Sequence, residues 1–386
     1  MILEHQENCM FTQRRKGKCL SSQRNCLLVY FPSLHKITKK AQCVRVAYGM
    51  NTNRRALIIF NNAAARVREV WSHIERALTA SGINFEAHQT THAGDATTRT
   101  RAGLKEGFGT IAVVGGDGTL SEAASGFFEF PNRIDSDEMP VALNPQASLA
   151  IIPAGTGNDL ARGLAGGREP MDNWLAALVA HCRGEGRHFR VIDALYGTSD
   201  GGERKFICIN AATFGIGAEV AARVAAQKNF IRKFSGEARF VAGAFGALLA
   251  WRERPVRVTI DGEVTEMSTN LLAVANNICA GGGMMFAPEA KLDDGLMDVL
   301  LSSNLTRASI LRELKRIRTG DHLKNPNVRS MKAMRVIVEH LTPNDPLPLE
   351  ADGNVRGHTP AEFRIMPKAI QLVLPEQAEG KGERQK

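Results

Sequence analysis

The chain has 386 residues, of which 44% are hydrophobic and 23% charged, so it can form two globular domains with separate cores. Its net charge of +9 is concentrated in residues 1–50, which carry nine basic and two acidic residues. The rest of the chain is close to neutral, which argues against a nucleic-acid-binding body. No run of 18 apolar residues occurs, so we expect no membrane-spanning helix.

The basic segment 1–52 predicts a disordered extension, whose charges either stay solvated or contact anionic membrane or nucleic acid. It lacks the apolar run and the cleavage site of a signal peptide. Because Met50 directly precedes the first strand, we consider the hypothesis that translation begins there. Four of the seven cysteines lie in this segment without a zinc-ligand pattern. The other three are typical of buried, reduced thiols in a cytosolic protein: Cys182, Cys208 and Cys279.

Apolar runs and helical periodicity alternate between residues 53 and 186. Ala56–Phe60 predicts a buried strand, a helix with apolar residues at helical spacing follows, and Ile83–Gln89 predicts the second strand. After another helix comes a third strand, Ile111–Val114, and a further strand is expected at Ala150–Pro153. This βαβαβ order with short loops predicts a doubly wound parallel α/β domain.

Residues 187–374 show short strands separated by turns, which predicts a β-sandwich domain, with a disordered charged tail at 375–386. The expected strands are Phe189–Tyr196, Phe206–Ala211, Val256–Ile260, Leu271–Asn276, Met297–Leu301, Arg335–Glu339, Pro348–Glu350 and Ala369–Leu374. Two helices interrupt them. Arg239–Trp251 is apolar nearly all round, so it is either buried or lipid-facing. Arg307–Arg318 is basic and amphipathic, with a charged face that is either solvated or in contact with anionic lipid.

Two glycine-rich turns follow predicted strands and open predicted helices. The first is Gly115–Thr119, with Asp117 at its centre, and the second is Ala154–Arg162. Glycines let a backbone approach a phosphate, and a helix N-terminus favours an anion. A carboxylate there repels a phosphate unless a metal ion or a hydroxyl lies between them. Asn61 and Thr90 also follow strands, so ligand binding at this sheet edge is favoured over plain connecting turns.

Two acidic turns lie further along the chain. Pro288–Leu296 is rich in the oxygen ligands that Mg²⁺ prefers, although a plain acidic turn fits its composition equally well. Asp352 stands at the tip of a tight turn with Gly353 and Asn354, which in isolation is an ordinary hairpin connection.

In this order, the motifs Gly-Gly-Asp-Gly-Thr, Gly-Thr-Gly-Asn-Asp, Phe-Gly-Ile-Gly, Asp-Asp-Gly and the late Asp-Gly resemble the diacylglycerol kinase catalytic-domain family. That family includes bacterial diacylglycerol kinases and YegS-like lipid kinases, with sphingosine and ceramide kinases as distant relatives. The resemblance spans residues 54–374. The first motif alone also resembles those of NAD kinases and phosphofructokinases, whereas the combination is far more specific.

The resemblance implies ATP-dependent phosphorylation of a lipid hydroxyl, above all diacylglycerol to phosphatidic acid, in a cleft between the two domains. It implies nucleotide contacts by Asn61, Thr90, Gly115, Gly116, Asp117, Gly118, Thr119, Leu120, Ser121 and Thr156. It implies a catalytic Mg²⁺ in an acidic network of Asp117, Asp159 and Asp193. It implies a structural Mg²⁺ at Lys291, Asp294 and Leu296. Asp352 would be the general base, with Asp117 as its catalytic partner.

The resemblance also implies a cytoplasmic protein that meets its lipid at the inner face of the membrane, without nucleic acid, and it leaves a homodimer open. Two departures from the family pattern matter. Asn61-Asn62 stands where Asn-Pro is usual, and Asn354 stands where the base motif has glutamate. Asparagine carries no charge to assist the base. The alternatives are therefore a catalytically weak nucleotide-binding regulator, a kinase for phosphatidylglycerol or a sphingoid base, and an NAD kinase.

Overall fold

A computed structural model of the protein describes residues 55–62, 65–133, 137–185, 189–225, 246 and 251–376. All of these lie in one compact unit, Met50–Lys386. The predicted extension 1–52 lies outside the described residues, as do residues 377–386 of the predicted tail. The same holds for the predicted helix Arg239–Trp251, apart from Gly246 and Trp251.

The strands are β1 Ala56–Phe60, β2 Phe85–Gln89, β3 Thr110–Gly115, β4 Phe128–Glu129, β5 Val141–Ala142, β6 Ser148–Pro153, β7 Phe189–Ser199, β8 Arg204–Cys208, β9 Ala211–Gly215, β10 Arg254–Ile260, β11 Glu263–Thr269, β12 Leu271–Ala275, β13 Met297–Ser302, β14 Val328–Ala333, β15 Arg335–His340, β16 Pro348–Ala351, β17 Asn354–His358 and β18 Ala361–Val373. The helices are α1 Ala65–Ala80, α2 Asp95–Lys105, α3 Asp117–Gly126, α4 Asp159–Ala165, α5 Met171–Arg183, α6 Ile216–Ala225 and α7 Arg307–Arg316.

Four strands in the order β2-β1-β3-β6 run parallel, which confirms the predicted doubly wound sheet. One face packs against α1 and α5 through residues such as Ile74 and Leu178. The other packs against α2 and α3 through residues such as Leu104 and Leu120. The direction of winding reverses between β1 and β3, and ligands of such sheets bind beyond the strand ends at this point.

The same hydrogen-bonded sheet continues past the predicted domain boundary at 186/187. β18 pairs in parallel with β6 and antiparallel with β7 and β15, so that one sheet holds ten strands. β18 spans 13 residues, whereas the sequence predicted only its end, Ala369–Leu374. A register shift between Met366 and Ile370, with Lys368 at φ 53°, breaks the apolar alternation that would have indicated one long strand.

The antiparallel part of this sheet packs on a second, six-stranded antiparallel sheet in the order β14-β13-β12-β9-β16-β17. Apolar residues from both sheets form the core between them. The predicted β-sandwich is thereby confirmed. The predicted strand Phe206–Ala211 is in fact two strands, because the chain leaves the large sheet at Cys208 and joins the small one at Ala211. Ile209 and Asn210 lie between the layers.

The predicted basic helix is present as α7, with Ile310 buried and Leu311 49% exposed. In the part of the chain that the structure describes, no helix combines the length and the apolarity needed to cross a membrane.

Phe363 is fully buried at the centre of the sandwich core, with ring centroids 5.9 Å from Phe206 and 6.0 Å from Phe214. We expect Phe363→Ala to lower the free energy of unfolding by about 3–5 kcal/mol, because it leaves a cavity and removes two edge-to-face contacts. Chemical denaturation measures this loss. Met334→Ala, at a side chain that is 58% exposed, is the control. Equal losses in the two variants would contradict this description of the core.

Candidate active site

Two glycine-rich turns lie side by side at the carboxyl ends of β3 and β6. Gly115 pairs with Pro153, and the Gly155 amide donates to the Gly115 carbonyl at 3.0 Å. A Cβ atom on Gly155 would lie 2.4 Å from Gly116 Cα, so only glycine permits this approach of the two backbones. Asn158 closes the second turn, since its Oδ1 accepts from the Gly155 amide at 2.9 Å. The two predicted turns therefore form one continuous surface.

Asp117 connects the first turn to the second. It begins α3, and its carboxylate accepts hydrogen bonds from the amides of Asp159 at 3.0 Å and Leu160 at 3.2 Å. These are first-turn amides of α4, which have no partner within their own helix. The Asn210 side chain donates a third hydrogen bond to the same carboxylate, at 3.1 Å. Asp117 thus fixes α4 and the loop after β8 around itself.

Asp159 lies beside Asp117 and is almost fully buried. Its carboxylate accepts from the amides of Gly282 at 2.8 Å and Gly283 at 2.6 Å. Burial raises the pKa of Asp159 to about 6, and the nearby charge of Asp117 raises it further. A side chain on Gly157 would lie 3.1 Å and 3.2 Å from one oxygen of each carboxylate. Two acids that border one space and repel each other fit a divalent cation between or near them.

Asp352 lies in the hairpin between β16 and β17, at φ 50°, and is 4% exposed. Its carboxylate accepts from the amides of Ile209 and Asn210, each at 2.9 Å, and from the Cys208 thiol at 3.3 Å. Burial raises the pKa of Asp352, and these two amides oppose that shift. Burial likewise raises the pKa of the Cys208 thiol, which keeps it a hydrogen-bond donor.

Asn210 joins the two acids with assigned catalytic roles, because its backbone amide binds Asp352 while its side chain binds Asp117. Asn277 extends this network, since its side-chain amide donates to the Asn210 side-chain oxygen and to the Asp159 carbonyl, both at 3.0 Å. Asn276 donates to the carbonyls of Asp193 and Ile209. None of the three asparagines was singled out from the sequence.

Asp193 is brought to a different neighbourhood from Asp117 and Asp159. Its carboxylate accepts from the amides of Gly295 and Lys368, both at 2.7 Å, so it orders the acidic turn and the bulge of β18. In that turn Lys291 is exposed, and the Asp294 carboxylate accepts from the Leu296 amide at 3.2 Å. Lys332 pairs with Asp294 at 2.9 Å, so an ammonium group already neutralises the carboxylate assigned to a structural Mg²⁺.

Across the described ranges, no group of three or more His, Cys, Asp or Glu side chains converges as a metal-binding cluster. The donor set at Asp117 and Asp159 nevertheless fits Mg²⁺ chemically, because it offers two carboxylates with unrelieved mutual repulsion. The set at Lys291, Asp294 and Leu296 fits less well, because a cation there would compete with Lys332.

The other residues assigned to the nucleotide divide into surface and interior positions. Asn61 donates to the Thr119 hydroxyl at 3.4 Å, and the Thr90 amide donates to the Phe60 carbonyl at 2.9 Å, both at strand ends. Thr156 is exposed. By contrast, the Leu120 side chain lies in the core. The buried Ser121 hydroxyl donates to the Ile207 carbonyl at 3.1 Å, so it supports α3 from within.

Asn354 contacts the first turn directly, because its side-chain amide donates to the Gly118 carbonyl at 3.2 Å. The hairpin that carries Asp352 is thereby joined to the start of α3. The residue that departs from the family pattern is therefore part of the site.

Glu350 is a second acid beside Asp352. Its carboxylate accepts from the Thr213 hydroxyl at 2.9 Å and from the Gly353 amide. Burial raises the pKa of Glu350 to about 7, and the nearby Asp352 adds to the shift while Arg356 opposes it. Because the folded protein holds this proton more tightly than the unfolded chain, the stabilising effect is complete below the ordinary pKa of 4.5. It is lost as the pH rises through about 7.

We therefore expect the unfolding free energy of the wild type, relative to Glu350→Gln, to fall as the pH rises between 5 and 8, by on the order of 2 kcal/mol. Glutamine keeps the size and the acceptor but cannot ionise. Urea denaturation across this pH range measures the difference. Glu263→Gln, at an exposed strand position, controls for the loss of a surface carboxylate. A difference that does not vary with pH would refute the assignment.

Two family models match the chain. The diacylglycerol kinase catalytic domain matches residues 55–194, and the YegS C-terminal NAD kinase beta sandwich-like domain matches residues 213–374. Together they account for well over half of the chain, and the first contains both glycine-rich turns.

Relatives and solved structures agree with these matches. The chain is 26% identical to a diacylglycerol kinase of Bacillus subtilis over 84% of this chain and 97% of the relative. It is 29% identical to a Chromohalobacter salexigens protein described as "Probable lipid kinase YegS-like", over 83% and 93% of the two chains. A crystal structure of a diacylglycerol kinase from Bacillus anthracis has the same fold, with a TM-score of 0.61 at 20% identity over 83% of this chain and 97% of that one. The chain belongs to the diacylglycerol kinase catalytic-domain family of lipid kinases.

Proposed function

We propose that this protein transfers the γ-phosphoryl group of ATP to the hydroxyl of diacylglycerol, which yields phosphatidic acid and ADP. The observation that carries the proposal is the link through Asn210 between Asp117, at the glycine-rich turns, and Asp352, in the opposing hairpin. Phosphoryl transfer depends on positioning a donor and an acceptor in line, and this link holds both acids in one arrangement. The names of the similar proteins support diacylglycerol as the acceptor.

The two contiguous glycine-rich turns are the proposed binding surface for the ATP phosphates, with Asn61, Thr90 and Thr156 at its edges. Asp117 and Asp159 would hold a Mg²⁺ ion, which neutralises phosphate charge during transfer. In our proposal Asp193 supports the acidic turn through its hydrogen bonds to Gly295 and Lys368.

Asp352 is the proposed proton acceptor. In the reaction the lipid oxygen forms a bond to the γ-phosphorus, the bond to the ADP oxygen breaks, and the hydroxyl proton passes to the Asp352 carboxylate. Oxygen Oδ2 accepts a single backbone amide, from Ile209, in addition to its contact with the Ser121 hydroxyl. Its raised pKa makes it a stronger base than an exposed aspartate. Because diacylglycerol resides in bilayers, we propose that the protein acts at the membrane surface, on its cytoplasmic side.

Asp352→Asn should lower kcat for diacylglycerol phosphorylation by roughly 10²–10⁴-fold while Mg-ATP binding persists, because the variant cannot accept the proton. The measurement is transfer of labelled phosphate from ATP to diacylglycerol, phosphatidylglycerol, a sphingoid base and NAD in parallel. Asp261→Asn is a matched control, since Asp261 also lies in an Asp-Gly hairpin at φ 48° and accepts two backbone amides. Label in none of the lipids, or a folded Asp352→Asn with full turnover, would end the proposal.

Gly155→Ala should weaken Mg-ATP binding by about tenfold or more, because the added methyl group forces the two turns apart. Calorimetric titration with a non-hydrolysable ATP analogue measures the loss. Gly115→Ala is the control, because a Cβ atom there meets only Thr119, at an ordinary 3.4 Å. If both variants bind the analogue like the wild type, the turns do not form the nucleotide site.

A further inference from the structure

A cavity of about 270 Å³ lies on the large sheet, on the face opposite the sandwich core. Its floor is built from two neighbouring rows of paired residues on β7, β18 and β15. One row is Tyr196, Arg364 and Arg335, and the next is Thr198, Glu362 and Ile337. The residues that alternate with them, such as Phe363 and Val336, face the core. The cavity contains none of the residues assigned to phosphoryl transfer.

Glu362 orients two arginines in this cavity. One of its carboxylate oxygens accepts from Arg335 Nε at 2.7 Å and also from Arg364 Nε. The Arg364 side chain is only 15% exposed, so its guanidinium group is held in place by burial as well as by this bond. Two guanidinium groups against one carboxylate leave one positive charge, carried on the N–H groups that point away from Glu362.

Asp137 meets this remaining charge from the opposite side. One of its oxygens lies 2.9 Å from Arg364 Nη2 and 3.9 Å from Arg335 Nη2. Its side chain is 88% exposed, in contrast to the 22% exposure of Glu362. An ion pair this exposed stabilises a protein by only about 0.2–1 kcal/mol. A ligand anion could therefore displace Asp137 at little cost, whereas Glu362 and Arg364 would stay in place.

We propose that this cavity binds a phosphate monoester, whose phosphate group takes the position of the Asp137 carboxylate between Arg335 and Arg364. A phosphate fits better than a carboxylate, because its three terminal oxygens can accept from both guanidinium groups and from a further donor. The hydroxyl groups of Tyr196 and Thr198 line the same cavity and supply such donors. The volume beyond the arginines accommodates a small polar substituent. A soluble ester and a phospholipid headgroup present the same chemistry.

Calorimetric titration of the full chain with glycerol 3-phosphate tests the soluble source, and sedimentation with phosphatidic acid vesicles, against phosphatidylcholine vesicles, tests the lipid source. We expect Arg364→Gln and Arg335→Gln each to weaken binding by about tenfold or more, because each removes charged hydrogen bonds to the phosphate. We expect Asp137→Ala to tighten binding by up to about fivefold, because it removes the competing carboxylate.

Arg257→Gln is the matched control, because Arg257 lies on the same sheet, pairs with one glutamate and is 43% exposed, close to the 47% of Arg335. It removes the same charge outside the cavity and should leave binding unchanged, whereas phosphate bound at the glycine-rich turns would not respond to either cavity arginine. Loss of binding in one arm supports the site and names its source. Equal binding by the wild type and both cavity variants in both arms, or no binding at all, would overturn the proposal.

Discussion

The break in strand pairing at Ile209 and Asn210 is the feature on which the arrangement of the site depends. Where the chain passes from the large sheet to the small one, two buried amides lose their strand partners, and a buried amide without a partner is costly. Asp352 satisfies both, and they in turn supply the donors that a buried carboxylate requires. Neither group is stable there without the other. The Asn210 side chain then reaches Asp117, so the break also sets the position of the first glycine-rich turn.

The same exchange occurs at the other two central acids. Asp117 accepts from first-turn amides of α4, and Asp159 accepts from Gly282 and Gly283, which are far away in sequence. Each carboxylate therefore supports the backbone of another segment, in addition to the chemistry proposed for it. Substitution of any of them changes local structure as well as charge. A loss of activity thus identifies a chemical role only when a control acid with equivalent backbone bonds, such as Asp261, is compared.

The sequence was sufficient wherever the signal is local. The apolar runs of the parallel strands and the two glycine-rich turns were identifiable because strand period and glycine content act within a few residues. The division of Phe206–Ala211 was not, because Ile209 and Asn210 continue an apolar pattern and only the second sheet draws them away. Asn276 and Asn277 were missed for a similar reason. They follow an apolar strand as turn residues commonly do, and their partners lie in distant segments.

Asn354 illustrates how a departure from a family pattern is read once its contacts are known. From the sequence alone it removes a negative charge next to the proposed base. In the structure its amide donates to the Gly118 carbonyl and so ties the base hairpin to the turn that holds Asp117. A glutamate carboxylate could not make this bond, because it has no proton to donate and would be repelled by the carbonyl oxygen. The charge is not absent from the neighbourhood either, since Glu350 lies on the same hairpin and accepts the Gly353 amide. The substitution therefore exchanges a charge for a contact across the site, which favours a working kinase over a protein that retains only nucleotide binding.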